Sequence, residues 1–240
     1  MTEQQTRRAA RLAAYDRLRE QRPHLFHNPP DAAYEIVLDP AVQEEVADAA
    51  AEKLREAGVP EQYGDIGVVY QDPYVMLVRD AVRFRSGRHG AYIREVSPEE
   101  GTGAAVLTLT PDDRIVLVRH FRHESRNWHW EAPRGFAEPG ADGAATAVRE
   151  VVEELGVEPA EITFLGRFGT GTDGQGGTDE LWLARLAQAP AIGDDVDEGI
   201  DEVIAVTPAE FAEMMRDGRM SDTFTLAAYA YAVVRGLWPA

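Results

Sequence analysis

The chain has 240 residues, 44% of them hydrophobic and 28% charged, an ordinary globular balance with room for one full domain and an extension. Its 42 acidic and 24 basic residues leave a formal charge of −18. That charge opposes unspecific binding to nucleic acid, and any anionic substrate must be met by local cations or metal ions. Cysteine is absent, which removes disulfides, thiolate metal sites and a cysteine nucleophile.

The first residues, M-T-E-Q-Q-T-R-R-A-A-R, lack the apolar core of a signal peptide. Arg7, Arg8 and Arg11 are the only hint of a transit peptide, and the early Glu3 and missing serine speak against it. A cytoplasmic location is expected. Residues 3–20 carry Ala10, Ala14, Tyr15 and Leu18 at helical spacing, and residues 41–57 do the same with Val42, Val46, Ala49 and Leu54. H-N-P-P at 27–30 must break any helix between them. From about residue 65 the pattern turns to strands rich in β-branched and aromatic residues: I-G-V-V-Y, Y-V-M-L-V-R-D-A-V-R-F and A-Y-I-R-E-V. Strands at 104–110 and 114–119 follow, joined through the hairpin signature T-P-D-D-R.

A Pro/Gly-rich loop over 132–143 leads into the helix A-A-T-A-V-R-E-V-V-E-E-L, with Gly156 where a C-terminal cap belongs. The remainder reads strand (161–168), Gly-rich loop (169–178), strand (180–186), acidic loop (191–199), strand (200–206) and two closing helices (about 207–217 and 222–236). The longest apolar stretch, Leu226 to Val234, is far below the roughly 20 residues that cross a bilayer. Strands and helices alternate without a regular βαβ repeat, so the expectation is an α+β chain with a mixed sheet flanked by helices. The expected parts are a helical extension over 1–60, a strand segment over 61–100 and a main domain over 101–240.

The helix near residue 150 carries the chemistry. Glu150 and Glu154 are about 400° apart, one above the other on one face, and Glu153 sits about 60° to the side. Like charges at this spacing in the C-terminal half of a helix destabilise it through mutual repulsion and the macrodipole. A hard divalent cation would reverse both effects, since Mg²⁺ takes carboxylate oxygens and is shared with substrate phosphates. By itself the pattern is equally that of a solvated acidic face.

The context is G135-F-A-E-P-G-A-D-G-A-A-T-A-V-R-E-V-V-E-E-L-G-V157, which resembles the Nudix box, G-x5-E-x7-R-E-U-x-E-E-x-G-U with U a bulky aliphatic residue. Gly135, Arg149, Glu150, Val151, Glu153, Glu154, Gly156 and Val157 match; Ala141 stands where the family has glutamate. The resemblance implies that this glutamate pairs with Arg149, leaving Glu138 or Asp142 to replace it, although Asp142 is the better helix N-cap. Flanking segments resemble the ADP-ribose pyrophosphatase branch over about residues 65–237. V-R-H-F-R (118–122) ends on Arg122, a phosphate-binding position that takes Arg119 along as a further substrate contact. W-E-A-P-R-G-F (130–136) runs into the box, with the carbonyl of Arg134 implied as a metal ligand. G-G-T-D-E (176–180) places the implied catalytic glutamate on Glu180, and S-D-T-F-T-L-A-A (221–228) is similar to the closing helix.

What the resemblance implies is a Nudix fold, an α/β/α sandwich, and a pyrophosphohydrolase that splits ADP-ribose or a related nucleoside diphosphate-sugar. Glu150, Glu154 and Glu153 would hold Mg²⁺, with Mn²⁺ as the alternative ion. Glu180, Glu153 and Arg149 form the implied catalytic set. Trp128 and Trp130 flank His129 and could offer a ring to a base, but the alternation equally suits a half-buried strand with Trp130 in the core. The segment 65–98 is similar to strands that mediate dimerisation, which implies a homodimer. A nucleotide-type small molecule is the expected partner, with neither nucleic acid nor membrane. The alternatives are a biosynthetic enzyme for another nucleotide conjugate and a catalytically silent module that binds ADP-ribose or NAD.

Overall fold

The structure, a computed structural model, describes residues 2–98, 100–169, 178–192 and 199–238. Residues 170–177 of the Gly-rich loop and 193–198 of the acidic loop lie outside the described residues. The chain divides into two compact units, one built of residues up to 98 and one of residues from 100 onward.

The first unit begins with helix α1 (Glu3–Gln21), opened by a capping box in which Thr2 and Gln5 satisfy each other's backbone N–H groups. Helix α2 (Pro40–Glu56) starts at Asp39, whose side chain accepts the N–H of Ala41, with Pro40 at the first helical position. Strands β1 (Tyr34–Ile36), β2 (Gly67–Gln71) and β4 (His89–Val96) all pair antiparallel with β3 (Met76–Phe84). The three-residue β1 was not expected. It lies three residues beyond the H-N-P-P break, and three residues are too few to show a strand period. Tyr15, Leu18, Phe26, Val68, Met76, Val78 and Val96 form the larger core cluster of this unit. Two buried carboxylates tie α1 to the rest of the unit. The Tyr15 hydroxyl donates to Asp80 (2.6 Å), and Asp65, with no exposed surface, accepts from Arg7, Arg8 and Arg11.

The second unit is a seven-stranded mixed sheet. Its strands are β5 (Ala104–Leu109), β6 (Ile115–Arg122), β7 (Asn127–Glu131), β8 (Arg134–Gly135), β9 (Pro159–Gly169), β10 (Thr178–Leu186) and β11 (Ile200–Val206). The order is β11-β6-β5-β10-β9, with β7 on β6 and β8 on β5; only β5 and β10 are parallel. Helix α3 (Gly143–Leu155) covers one face, where Ala147, Val151 and Leu155 pack on Ala104, Val106, Val116 and Val118. Helices α4 (Pro208–Arg216) and α5 (Thr223–Val234) cover the other, where Phe211, Met214, Ala228 and Ala232 meet Ala105, Leu107, Ile115 and Leu117. All six residues of β5 are therefore buried, as a strand covered on both faces must be. This is the expected sandwich. Strand β6 runs three residues further than its hydrophobic pattern indicates, to Arg122, because β7 pairs with its polar end. The loop expected over 132–143 likewise contains β8. Among the described residues no helix is long and apolar enough to cross a membrane.

Candidate functional site

Helix α3 is delimited by the signals its sequence carries. The Asp142 side chain accepts the N–H of Ala145 (2.8 Å), and Gly156 closes the helix at φ 64°, its N–H on the Val152 carbonyl. With Val151 and Leu155 turned into the sheet, Glu150 and Glu154 fall on the flank beside β8, only 4% and 3% exposed, while Glu153 stays half-buried. A side chain at Gly135 would overlap the Glu150 carboxylate, so this glycine is what lets β8 approach the helix. The next backbone group along, the Arg134 N–H, donates to Glu154 Oε1 (3.3 Å).

Arg149 offsets the repulsion between Glu150 and Glu153. Its Nη1 donates to Glu153 Oε2 and its Nη2 to Glu150 Oε1, each at 2.6 Å, and Nη2 also reaches the Phe136 carbonyl. The family's missing glutamate at Ala141 is thus made up from the box itself. Asp142 is engaged as the helix cap, and the arginine contacts found do not run to Glu138.

A second cluster adjoins on the same side. Glu131, 2% exposed, accepts Nε and Nη2 of Arg122 and Nε of Arg134. Burial alone would raise the Glu131 carboxyl, but the Arg122 hydrogen bond and the charges of Arg134 and Arg122 hold it below the usual range. Arg134 reaches on to Asp222 (3.7 Å), the N-cap of α5, and its guanidinium lies 4.5 Å from the Phe224 ring centre. Asp179 behaves oppositely. Burial pushes its carboxyl up, against the charge of Arg134 and a hydrogen bond from Gly103.

Ala104 pairs with Gly135 on one side and Glu180 on the other, and all three positions face α3. Two strand spacings put Glu180 about 10 Å across the sheet from Gly135. Its carboxylate lies where a side chain at Gly143 would be, at the first turn of α3, with Arg167 Nε at 3.5 Å. Glu150 stands about two helical turns further on. Glu180 therefore faces α3 but stands apart from the Glu150–Glu154 pair.

Strand alternation separates the other expected contacts. Arg122 shares the α3 face with Glu131, whereas Arg119, Phe121, Trp128 and Trp130 take the α4/α5 face. There Trp130 packs on the core, and Arg119 stacks over Trp128 (4.8 Å), which meets Phe121 edge-on (5.4 Å). Arg119 also pairs with Asp201 and Glu202. His120 and His123 do not converge: His120 is buried in β6, and His123 contacts Arg126 (2.8 Å). Glu131, Asp222 and Thr225 escaped the sequence reading. They lie inside motifs that were noticed, but only strand register and the docking of α5 bring them together.

The donor set suits a hard divalent cation, since Glu150, Glu153 and Glu154 present carboxylate oxygens on one helix and the Gly135 cradle admits the first of them. Among the described residues no three histidine, aspartate or glutamate side chains converge as a finished cage; Arg149 holds two of the carboxylates instead.

Comparison with known proteins bears on the family and the fold. The family profile described as NUDIX domain matches residues 100–224. The chain is similar to the methanol dehydrogenase activator of Bacillus methanolicus, 29% identical over 165 residues that span 68% of this chain and 87% of the relative. It is also similar to the ADP-ribose pyrophosphatase of Bacillus subtilis (strain 168), 29% identical over 168 residues, with the same shares covered. A crystal structure of an ADP compounds hydrolase superposes with a TM-score of 0.58 at 18% identity, covering 71% of this chain and 89% of that one, and so shares its fold.

Proposed function

The chain belongs to the NUDIX domain family, and from that premise we propose that it is a metal-dependent pyrophosphohydrolase cleaving ADP-ribose or a related nucleoside diphosphate-sugar into a nucleoside monophosphate and a sugar phosphate. The observation that carries the reading is the buried pair Glu150 and Glu154, seated on one helix flank against Gly135 and the Arg134 N–H. The similarity to an ADP-ribose pyrophosphatase supports the choice of substrate.

Glu150, Glu154 and Glu153, with the backbone carbonyl of Arg134, would hold Mg²⁺, or Mn²⁺ in its place. When bound, such an ion neutralises phosphate charge, polarises the phosphoryl oxygens and lowers the pKa of a water molecule. The chain's own residues do the rest. Arg149 spans Glu150 and Glu153 and offsets their repulsion. Glu131 engages Nε and Nη2 of Arg122 and so aims the guanidinium, whose Nη1 side is assigned to a phosphate oxygen. Glu180 takes the proton of the attacking water as its oxygen bonds to phosphorus and the anhydride P–O bond breaks, the second phosphate leaving with the bonding pair. Trp128 and Arg119, joined by their cation–π contact, lie on the opposite face of the sheet from Arg122 and the carboxylate pair and are left out of this substrate assignment. The reading includes a cytoplasmic homodimer whose contacts lie within residues 61–100.

The test is phosphomonoester release from ADP-ribose, nucleoside diphosphate-sugars, dinucleotides and nucleoside triphosphates, each with Mg²⁺, Mn²⁺ or EDTA. ADP-ribose should yield AMP and ribose 5-phosphate only when metal is present. Metal-dependent preference for another conjugate would move the substrate. No release from the panel, with ADP-ribose still raising the melting temperature, would make the protein a binding module.

A further inference from the structure

Strand β8 has two residues, too few to hold its own position, yet it supplies the backbone beside Glu150 and Glu154. The segment leading into it is fixed from several sides. The Pro133 carbonyl accepts the N–H of Val106 (2.8 Å), and Arg134 and Gly135 pair with Ala105 and Ala104. At the upstream end, the N–H of Ala132 donates to Thr225 Oγ1 (2.7 Å), a bond between the first turn of α5 and a residue 93 positions earlier. Thr225 is fully buried. Its hydroxyl proton goes in turn to Asp222 Oδ2 (2.6 Å), which also caps the Thr225 N–H (2.7 Å), while Asp222 Oδ1 faces Arg134 Nη2. The chain of contacts is thus a closed circuit that starts at the Ala132 backbone and returns to the Arg134 side chain.

Neutral threonine is suited to this place in a way the charged residues around it are not. It accepts one hydrogen bond and donates another, so it joins an N–H donor to a carboxylate acceptor without adding charge. Its methyl group fills the buried space, so valine reproduces its shape but not the relay.

We infer that Thr225 is a positioning residue for the acidic site: its hydroxyl sets the backbone of residues 132–134 and thereby keeps the Arg134 N–H on Glu154 and the Arg134 carbonyl in place. This rests on the assignment of Glu150 and Glu154 as the metal-holding pair. Partners that orient a ligating group typically change metal affinity by 10–100-fold when removed.

The test compares wild type with Thr225→Val and Thr225→Ser in the full chain. Readouts are Mn²⁺ affinity by calorimetry, amide exchange of the peptide covering 132–135, and the melting temperature. Thr225→Val should weaken Mn²⁺ binding by about tenfold and speed exchange at Ala132 and Arg134, and Thr225→Ser should restore both. Should valine prevent folding, Thr225→Ser against Thr225→Ala carries the same comparison. Unchanged exchange in the valine variant overturns the inference. So does faster exchange with wild-type Mn²⁺ affinity, because the relay would then be structural only. A wild-type protein that binds no Mn²⁺ would instead sink the metal assignment itself, a failure distinguishable from the first because exchange is read without metal.

Discussion

Glu154 and Ala141 show how differently two residues of one motif depend on their surroundings. Glu154 is buried, bonded to a backbone N–H and one turn from Glu150, so its charge has a use that a surface glutamate lacks. Glu154→Gln keeps the shape and the acceptor oxygen but loses the charge. Turnover should fall by about two or more orders of magnitude, with the melting temperature little changed. Activity near wild type would reject the metal assignment. Ala141, by contrast, need not be repaired, because Arg149 already binds Glu150, Glu153 and the Phe136 carbonyl. Ala141→Glu should leave kcat/KM within about twofold, well under the 1.4 kcal/mol that a tenfold change represents. A large gain would show that the arginine contacts seen here are insufficient in catalysis.

At the scale of elements, α3 carries the carboxylate pair on its flank and meets Glu180 at its N-terminal turn. The glycine there is what admits the Glu180 side chain, since a methyl group at residue 143 would occupy the same space. Gly143→Ala raises helix propensity by up to about 1 kcal/mol, yet it must push a flexible carboxylate away. A stable variant with a lower kcat is expected, because the added methyl group displaces the Glu180 carboxylate. A wild-type kcat would count against Glu180 as the catalytic base. Most elements were legible because periodicity, caps and turn residues all act locally. The bounds of β6, and the existence of β1 and β8, were not, since short strands of this kind exist only by virtue of the neighbour they pair with, and β7 was visible only as one of two readings of the Trp128–Trp130 alternation.

At the scale of the molecule, the extension ahead of the family region is built into its own unit. Helix α1 contributes Tyr15 and Leu18 to a core with Val68 and Val78, and three arginines to the buried Asp65. Burial on its own would raise the Asp65 carboxyl, but the Arg7 and Arg8 hydrogen bonds hold it below the ordinary value of 3.8. A depressed carboxyl contributes stability that is present above that value and is lost as pH falls through the folded pKa. Asp65→Ala should destabilise this unit by about 3–5 kcal/mol, because three guanidinium groups lose their shared partner, and it should abolish that part of the acid sensitivity below about pH 4. Denaturant titration at pH 7 and pH 3 would decide it; equal stability of wild type and variant at pH 7 would refute it. Deleting residues 1–60 is correspondingly expected to expose the core of this unit, so loss of a dimer in that variant would not by itself locate the interface.

The mixed sheet flanked by helices and the carboxylate stripe on one helix follow from the order of residues alone, because helical spacing and strand patterning are properties of the local backbone, while the box from Gly135 to Val157 and the sandwich were legible through a family resemblance. Tertiary structure decided which charges meet. It brought Arg122 onto Glu131 on a shared face of the β6–β7 hairpin, turned Arg119 and Trp128 to the opposite face, gave Arg149 its partners within the box, and brought Thr225 onto Ala132 across 93 positions. These are contacts between elements, and nothing in a single local pattern encodes the register or the docking angle that creates them.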